Sequence, residues 1–304
     1  MAVGVAAAVV AAAAAVAAVA ERRDRFGLGW RAELAAGILA NLDRIDLIEI
    51  VADNYFSARR ADLRALRTLA AQVPVMLHGV GMGLASTVAV DWRRLDRMAR
   101  LVEATGAEGW SEHLAFVRGG AIEIGHLAAP PRSAASIDGA CTNLERAARS
   151  VGAAPLVENI ATLVLPPAST LGEADWVGQI VNQAGTGLLL DLHNLYANAV
   201  NFGTDPVSLL RALPLARVAA VHLSGGVWID GPHGARRLLD DHLHDVPPQV
   251  LALLTELGRL TPQALDVVIE RDGRYPPFGA LLRQLDAART ALEAGRQAAA
   301  QQAA

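Results

Sequence analysis

The sequence predicts an α/β protein folded as a single (β/α)8 TIM barrel. Two observations support this prediction: eight short apolar runs alternate with amphipathic helical segments, and ionisable side chains cluster where those runs end. The chain has 304 residues, of which 53% are hydrophobic. That is enough for the large core of a barrel domain, which typically has about 250 residues. No linker rich in Gly, Pro or Ser divides the chain, so we predict one main domain.

Eight apolar runs are the predicted strands of the barrel. Several of them, such as Leu188–Asp191, are uninterrupted apolar runs up to their last residue, which is typical of strands buried on both faces of a parallel sheet. In chain order the predicted strands are Gly27–Trp30, Leu47–Val51, Val75–His78, Gly109–Leu114, Leu156–Glu158, Leu188–Asp191, Val218–Leu223 and Val267–Glu270.

Segments with apolar residues at helical spacing lie between these runs. Such an alternation of strand and helix fits either a closed barrel or an open doubly wound sheet, and the placement of polar residues described below favours the barrel. The predicted helices include Asp62–Gln72, Trp92–Glu103, Ala134–Val151, Ala174–Gln183, Pro206–Leu213 and Pro248–Leu257.

The two ends of the chain differ in composition from its middle. We predict an Ala/Val-rich extension over residues 1–25, a metal-binding barrel over 26–287 and an Ala/Gln-rich helical tail over 288–304. The first twenty residues are long enough to span a bilayer, but they contain no Leu, Ile or Phe and no basic residue precedes them. We therefore expect a loose helical extension or a misassigned start, and a cytoplasmic protein without a membrane partner; a signal peptide or an anchor is the alternative.

Charge and cysteine content exclude several classes of function. Charged residues make up 19% of the chain and the net charge is −4, so no basic groove for nucleic acid is expected. Cys141 is the only cysteine, which rules out disulfides within the chain and thiolate-rich zinc or iron–sulfur sites. Any metal must therefore be bound by nitrogen and oxygen atoms.

Ionisable residues follow most of the predicted strands. An ionisable group at the end of an apolar strand is costly to bury unless a partner such as a cation compensates it, and barrel active sites lie at this mouth. Taken singly, each histidine could be a hydrogen-bonded core residue and each carboxylate an ion-pair partner. Their coincidence instead predicts two or three ions of iron, manganese or zinc. The stretches are His78, Glu112-His113, Glu158-Asn159, Asp191–Asn194, His222, Asp240–His244 and Glu270–Asp272.

In these stretches the chain resembles the domain-of-unknown-function 692 family, also grouped as UPF0276. These are the multinuclear non-haem iron-dependent oxidases, which include the methanobactin-biosynthesis oxidase. The resemblance covers roughly Gly27 to Ala287. It rests on Gly27-Leu28-Gly29-Trp30-Arg31, Glu49 through Asp53-Asn54-Tyr55, Leu77-His78-Gly79-Val80, Ser111-Glu112-His113-Leu114, Glu158-Asn159, Asp191 through Ala199, His222-Leu223-Ser224-Gly225, Asp240-x-His242-x-His244 and Glu270-Arg271-Asp272.

The resemblance implies a xylose-isomerase-like barrel that binds two or three iron ions, with zinc or manganese as alternatives. It implies the metal ligands His78, His113, Glu158, Asp191, Asn194, His222, Asp240, His242 and Glu270. His193 and His244 are additions near this set that could bind metal or orient its ligands. Asn159, Tyr55 and Arg271 are the implied catalytic residues that orient substrate or ligands, although Arg271 could equally pair with Asp272.

The implied activity is oxidation of a side chain, commonly cysteine, in a ribosomally made precursor peptide by dioxygen. A separate partner protein would recognise the leader of that peptide. Three places depart from the family pattern: Leu34 and Gly225 stand where many members have histidine, and His193-Asn194 replaces the usual asparagine pair after Asp191. These departures weaken the expectation of a third metal. The alternatives are a divalent-metal-dependent hydrolase or isomerase of the xylose-isomerase or endonuclease IV type, and a degenerate barrel without catalytic activity.

Overall fold

Eight parallel strands close into a barrel, which confirms the predicted fold. This holds for residues 23–119, 122–231 and 236–303, which the computed structural model describes. Each barrel strand pairs with the next one along the chain, and the last pairs with the first. The barrel strands are β1 (Arg25–Gly29), β2 (Leu47–Val51), β3 (Val75–Gly79), β4 (Gly109–His113), β7 (Leu156–Glu158), β8 (Leu188–Asp191), β9 (Val218–Leu223) and β12 (Asp266–Ile269).

The apolar runs of the sequence become the barrel strands almost residue for residue. The bounds of β2, β7, β8 and β9 are those predicted, and the other four strands shift by one or two residues. Their apolar side chains, such as Ile48, Leu77 and Val221, are fully buried. Burial on both faces is what an unbroken apolar strand in a parallel sheet requires.

Amphipathic helices cover the outside of the barrel. They are α1 (Ala35–Leu39), α2 (Arg60–Ala70), α3 (Trp92–Thr105), α4 (Ala134–Val151), α5 (Glu173–Ala184), α6 (Leu192–Phe202), α7 (Pro206–Ala212), α8 (Pro248–Leu260) and α9 (Phe278–Ala303). Helix α3 illustrates how their ends are encoded. It begins after Asp91, whose side chain accepts from Arg93 N, and ends at Gly106, where φ is +67° and glycine is favoured.

Helix α6 follows β8 without any connecting loop, a feature that the sequence analysis did not predict. Asp191 is both the last residue of β8 and the N-cap of α6, and its side chain accepts from Asn194 N. The polar stretch Asp191–Asn194 therefore begins a helix, whereas the sequence analysis treated it as the end of a strand. The buried face of α6 includes His193, Asn194 and Asn198.

Two β-hairpins were also missed, and both rise from the C-terminal face of the barrel. Strands β5 (Phe116–Gly119) and β6 (Ile122–Ala128) pair antiparallel after β4, and β10 (Gly226–Asp230) and β11 (Arg236–Asp240) do so after β9. Asp240 therefore ends a hairpin strand and not a barrel strand. Asn201 of α6 holds the second hairpin in place. Its side-chain Oδ1 accepts a hydrogen bond from Leu238 N, and its Nδ2 donates one to Leu238 O.

The predicted extension and tail are described only in part. Residues 1–22, which make up most of the predicted extension, lie outside the described ranges, as does His233. Helix α9 runs without a break from Phe278 to Ala303, across the predicted start of the tail at Ala288. Within the described ranges, no helix has the length and apolar character needed to cross a membrane.

Candidate metal centre

Seven ionisable side chains, from seven of the eight barrel strands, converge inside the C-terminal mouth. None of them is more than 8% exposed. Among the described residues, their ligand atoms form three overlapping groups, and within each group all atoms lie within 4.8 Å of one another. The seven are Glu49 on β2, His78 on β3, His113 on β4, Glu158 on β7, Asp191 on β8, His222 on β9 and Glu270 directly after β12.

The first group joins His78, His113 and Glu158. Glu158 Oε2 lies 3.2 Å from His113 Nε2 and 3.5 Å from His78 Nε2, yet this oxygen has no hydrogen-bond partner. The two rings meet edge-to-face with their centroids 4.6 Å apart. Three ligand atoms thus lie close together without bonding to one another, which is how ligands are arranged around an ion.

The remaining nitrogens of these two rings are held by neighbouring acceptors. His113 Nδ1 lies 3.2 Å from the carbonyl oxygen of Gly79. A carbonyl oxygen only accepts, so the neutral ring carries its proton on Nδ1 and its lone pair on Nε2. His78 Nδ1 lies 2.8 Å from Ser111 Oγ, and that hydroxyl donates to Leu77 O. Both rings therefore present Nε2 to Glu158, as oriented metal-binding imidazoles do.

The second group joins Glu158, Asp191, His222 and Glu270. His222 Nδ1 lies 3.0 Å from Glu270 Oε2 and 3.2 Å from Glu158 Oε1. Asp191 adds Oδ2, a buried oxygen without a hydrogen-bond partner. Glu158 thus places one carboxylate oxygen in each of the two groups. A carboxylate in this position can bridge two neighbouring ions.

Glu49 forms the third group with His78 and His222, and the sequence analysis did not name it as a site residue. Its Oε2 lies 2.9 Å from His222 Nε2 and accepts the hydrogen bond of the Nε2 proton. The ring therefore turns Nδ1 towards the second group. One signal could have revealed it. Glu49 is the only charged residue in the apolar run Leu47–Val51.

Two histidines of these groups have a raised pKa because carboxylates surround them. Burial opposes the charge on His113, but the carboxylates of Glu158 and Glu112 outweigh it and raise the pKa of the ring to about 9. Burial also opposes the charge on His222, and Glu270 leads the carboxylates that raise its pKa well above the ordinary value. The surrounding carboxylates therefore favour the protonated form of both rings.

Asp191 shows the opposite response to the same crowding. Burial is the main reason that its pKa is raised well above the usual range, and the nearby carboxylates of Asp240 and Glu158 add to the effect. The raised pKa values of His113, His222 and Asp191 show that the crowded carboxylates at this site attract protons. A bound cation would take the place of those protons.

Two asparagines fix the backbone and the side chain of Asp191. Asn159 Oδ1 accepts from Asp191 N at 2.9 Å, and Asn159 Nδ2 donates to Asp191 O at 3.0 Å. Asn194 Nδ2 donates to Asn159 O at 3.0 Å, which leaves Asn194 Oδ1 buried without a partner. Asn159 therefore joins the ends of β7 and β8, and Asn194 keeps an oxygen free for a ligand role. The predicted roles of both residues stay predictions.

Asp240 and His242 lie beside the second group but belong to none of the three. Asp240 accepts from His193 Nδ1 and from His242 Nε2, each at 2.9 Å. Burial opposes the charge of Asp240, but these two rings hold its pKa well below the usual range. His242 Nδ1 lies 3.6 Å from Glu270 Oε2. His242 also has φ of +53°, an uncommon conformation that persists only where the surroundings enforce it.

The other two predicted residues, Arg271 and Tyr55, do not contribute atoms to the three groups. Arg271 is buried and donates to Gly273 O, Arg274 O and Asp245 Oδ1, so it braces the segment after β12. Tyr55 ends a short 3₁₀ turn after β2 and packs, half-buried, against the core. Neither is among the described residues that line the cavity at the mouth.

Two of the three departures from the family pattern, Leu34 and Gly225, have simple structural settings. Leu34 is buried in the hydrophobic core. Gly225 faces backbone: a Cβ there would lie 2.3 Å from Asp245 O and 2.6 Å from His244 O. Histidine at position 225 would therefore require the segment that carries His244 to move. His244 itself pairs with Asp241 Oδ1 at 2.9 Å.

A cavity of about 740 Å³ opens above these groups. Its floor includes His113, Glu158, Asn194, Asp240 and His242, and its walls are mostly apolar. The volume is within the range of pockets that bind small molecules or short peptide segments. The ionisable groups therefore face a space that a substrate could enter.

The residues of the mouth fit a multinuclear site for a borderline metal. Glu158 Oε2, Asp191 Oδ2 and Asn194 Oδ1 are buried oxygens without hydrogen bonds, and a cation would satisfy them. The donor atoms are imidazole nitrogens and carboxylate oxygens, which suit iron, manganese or zinc. Cys141 lies on α4 and takes no part in the groups.

Sequence comparisons identify relatives over most of the chain. The model of a family described as the RiPP precursor modification enzyme MbnB/TglH/ChrH matches residues 25–293. A UPF0276 protein of Streptomyces avermitilis is 37% identical over 275 residues; the match covers 88% of this chain but 55% of that protein, about half its length. A UPF0276 protein of Bordetella bronchiseptica is 32% identical over 276 residues, which is 91% of this chain and 95% of that protein.

Solved structures share the fold at low sequence identity. An L-ribulose 3-epimerase superimposes with a TM-score of 0.62 at 16% identity, over 92% of this chain and 98% of its own. A xylose isomerase domain containing protein of Salmonella typhimurium gives a TM-score of 0.59 at 15% identity, over 88% and 97%. These proteins thus share the barrel fold of this chain.

Proposed function

This chain belongs to the MbnB/TglH/ChrH family of RiPP precursor modification enzymes, and from that premise we propose that it is a multinuclear non-haem iron-dependent oxidase. Its substrate would be a side chain, commonly cysteine, of a ribosomally made precursor peptide, with dioxygen as the oxidant. The observation that carries the proposal is the overlap of the ligand groups, in which Glu158 contributes one oxygen to each of two neighbouring groups.

Two sets of residues would hold two ions. His78, His113 and Glu158 supply two nitrogens and an oxygen to the first, and Asp191, His222 and Glu270 add to Glu158 at the second. Bound iron would supply the redox chemistry and open coordination positions that oxygen-dependent oxidation needs.

A further ion is a separate part of the proposal. Asn194, Asp240 and His242 all line the floor of the cavity, and Asn194 Oδ1 has no hydrogen-bond partner. These three are the candidate ligands for such an ion. Because Asp240 and His242 bond to each other, an ion here would have to replace that hydrogen bond.

Residues around the ligands would keep them in place and shield them from water. Asn159 would act by positioning, because it joins the backbone of Asp191 to the end of β7. The apolar walls of the cavity would exclude water from the oxidised side chain. A separate protein that recognises the peptide leader stays part of the proposal.

Metal content and oxygen use test the proposal directly. The full chain is purified without oxygen and loaded with ferrous iron, and iron per chain, visible absorption and the Mössbauer spectrum are measured. Oxygen consumption and the mass of a cysteine-containing peptide are then followed. We expect at least two irons per chain, and a peptide mass change that requires dioxygen.

Two variants separate the metal centre from general stability. Glu270→Gln should lower the iron content and abolish oxygen-dependent turnover. Glu173→Gln is the matched control, because Glu173 is a largely buried carboxylate that bonds Arg132 and Asn198 instead of a ligand group. Iron of one equivalent or less in the wild type would refute the multinuclear oxidase. A colourless zinc protein with hydrolase or isomerase activity would favour the alternative function.

A further inference from the structure

The cavity above the metal centre has one wall that is unusually apolar for an exposed segment. The segment of residues 160–167 follows β7, and we call it the 160–167 loop. It lines the cavity with Ile160, Leu163, Val164 and both of its prolines. Leu163, Val164 and Leu165 are consecutive and are 36%, 68% and 60% exposed. Exposed large apolar side chains that adjoin one another usually mark a surface that binds something.

The loop is held in this position by specific hydrogen bonds. Asn198 of α6 is 1% exposed; its Oδ1 accepts from Thr162 N and its Nδ2 donates to Ile160 O, each at 2.9 Å. Thr162 Oγ1 in turn donates to Val164 O at 2.7 Å. These hydrogen bonds fix the loop backbone in a conformation that leaves Leu163, Val164 and Leu165 exposed to solvent.

Residues of the two hairpins make the rest of the cavity wall apolar as well. Leu127 and Ala128 of β6 and Leu238 and Leu239 of β11 line the cavity between the two hairpins. Among the described residues of the lining, His126 is the one titratable side chain outside the floor. A charged substrate side chain lying against these walls would thus lose its water and gain no ionic partner.

We infer that the 160–167 loop forms a subsite for an apolar side chain of the substrate peptide, beside the residue that is oxidised. This inference rests on the proposed function and names the sequence that the site prefers. The floor of the same cavity holds the ligand groups, so a residue bound there brings its neighbour against the loop. The volume of about 740 Å³ accommodates a short peptide segment and is too small for a folded partner or a second copy of the chain.

Peptide binding, measured without turnover, tests the subsite. Three fluorescein-labelled hexapeptides with one central cysteine are used, with Leu, Ser or Asp on both sides of it. Their binding to the iron-loaded full chain is followed by anisotropy in the absence of oxygen. We expect the Leu peptide to bind at least about tenfold more tightly than the Asp peptide, because an apolar side chain is buried against the loop.

A matched pair of variants locates the preference. Val164→Asp should remove most of the preference for Leu over Asp. Val88→Asp should keep it, since Val88 is a valine of similar exposure, 61%, that lies outside the lining of this cavity. Both positions are exposed, so neither substitution disturbs the core.

The outcomes distinguish the subsite from the oxidase itself. Equal binding of the three peptides to the wild type, or an unchanged preference in Val164→Asp, would overturn the subsite. If the preference is found and depends on Val164 but no cysteine peptide is oxidised, the subsite stands and the proposed oxidase function fails. If peptides are oxidised at equal rates and bound without preference, the oxidase stands and the subsite fails.

Discussion

Glu49→Gln tests whether Glu49 orients His222 or binds metal itself. Glu49 Oε2 accepts from His222 Nε2 at 2.9 Å, and both side chains are buried. A hydrogen bond to a charged acceptor contributes about 1.5–3 kcal/mol, and a neutral one about 0.5–1.5 kcal/mol. Glutamine keeps an oxygen that can accept the same proton but lacks the charge, so the change removes about 1.4 kcal/mol.

This loss corresponds to roughly tenfold weaker metal binding, the lower end of what is found when the partner of a ligating histidine is changed. The assay is an anaerobic titration of ferrous iron in competition with a coloured chelator, together with iron counted per chain at saturation. Glu173→Gln again serves as the control. We expect Glu49→Gln to bind the full number of irons with reduced affinity.

Two results would refute this reasoning. Loss of one iron equivalent at saturation would mean that Glu49 is a ligand, as its place in the third group with His78 and His222 also permits. Unchanged affinity in a folded Glu49→Gln protein would mean that the tautomer of His222 is set by something else.

Three further predictions concern pH, the 160–167 loop and the second hairpin. Because the pKa of His113 is raised from 6.5 to about 9, its stabilising effect is complete below pH 6.5 and is lost as the pH rises through 9. The Tm of metal-free protein should fall over that range, and the loss in the free energy of unfolding should be at most about 3 kcal/mol. Calorimetry in two buffers at pH 7.5 should detect the release of a proton on metal binding. Asn198→Ala should destabilise the fold by about 2 kcal/mol and raise the KM for peptide while iron content stays unchanged, since it frees Thr162 N and Ile160 O; an unaltered KM would contradict the role of the loop. Gly225→Ala should lower the free energy of unfolding by about 1–3 kcal/mol, because the added Cβ meets Asp245 O. A Tm equal to that of the wild type would show that the segment around Asp245 moves without cost.

The barrel could be predicted from sequence because its strands are encoded locally. Runs such as Leu188–Asp191 and Val218–Leu223 contain little else than apolar residues before their polar ends, so both the strand and its end are visible. Of the nine predicted metal ligands, six fall in the three groups, and these six lie at the C-terminal ends of barrel strands or directly after one. Position along a strand was therefore a sound guide to position in the mouth.

What the sequence did not reveal depends on contacts between distant residues. Glu49 meets His222 across 173 positions and lies in the middle of β2, where no strand end draws attention to it. The hairpins are short antiparallel excursions, and the second one is fastened by Asn201 from another element. Helix α6 starts on a residue that also ends a strand, so the helical spacing of its apolar residues was obscured by the polar stretch Asp191–Asn194.

The absence of a loop between β8 and α6 means that Asp191 is held by the barrel itself and not by a connecting segment. Asp191 is tied to the strand, to the helix cap and to Asn159, and the other members of the three groups lie on strands or directly beside one. The surfaces that would contact a peptide instead belong to the 160–167 loop and the two hairpins, which follow barrel strands but are not part of the barrel sheet. Under the proposed function, changes in the length or sequence of these outer segments would alter which peptide binds while leaving the ligand groups in place.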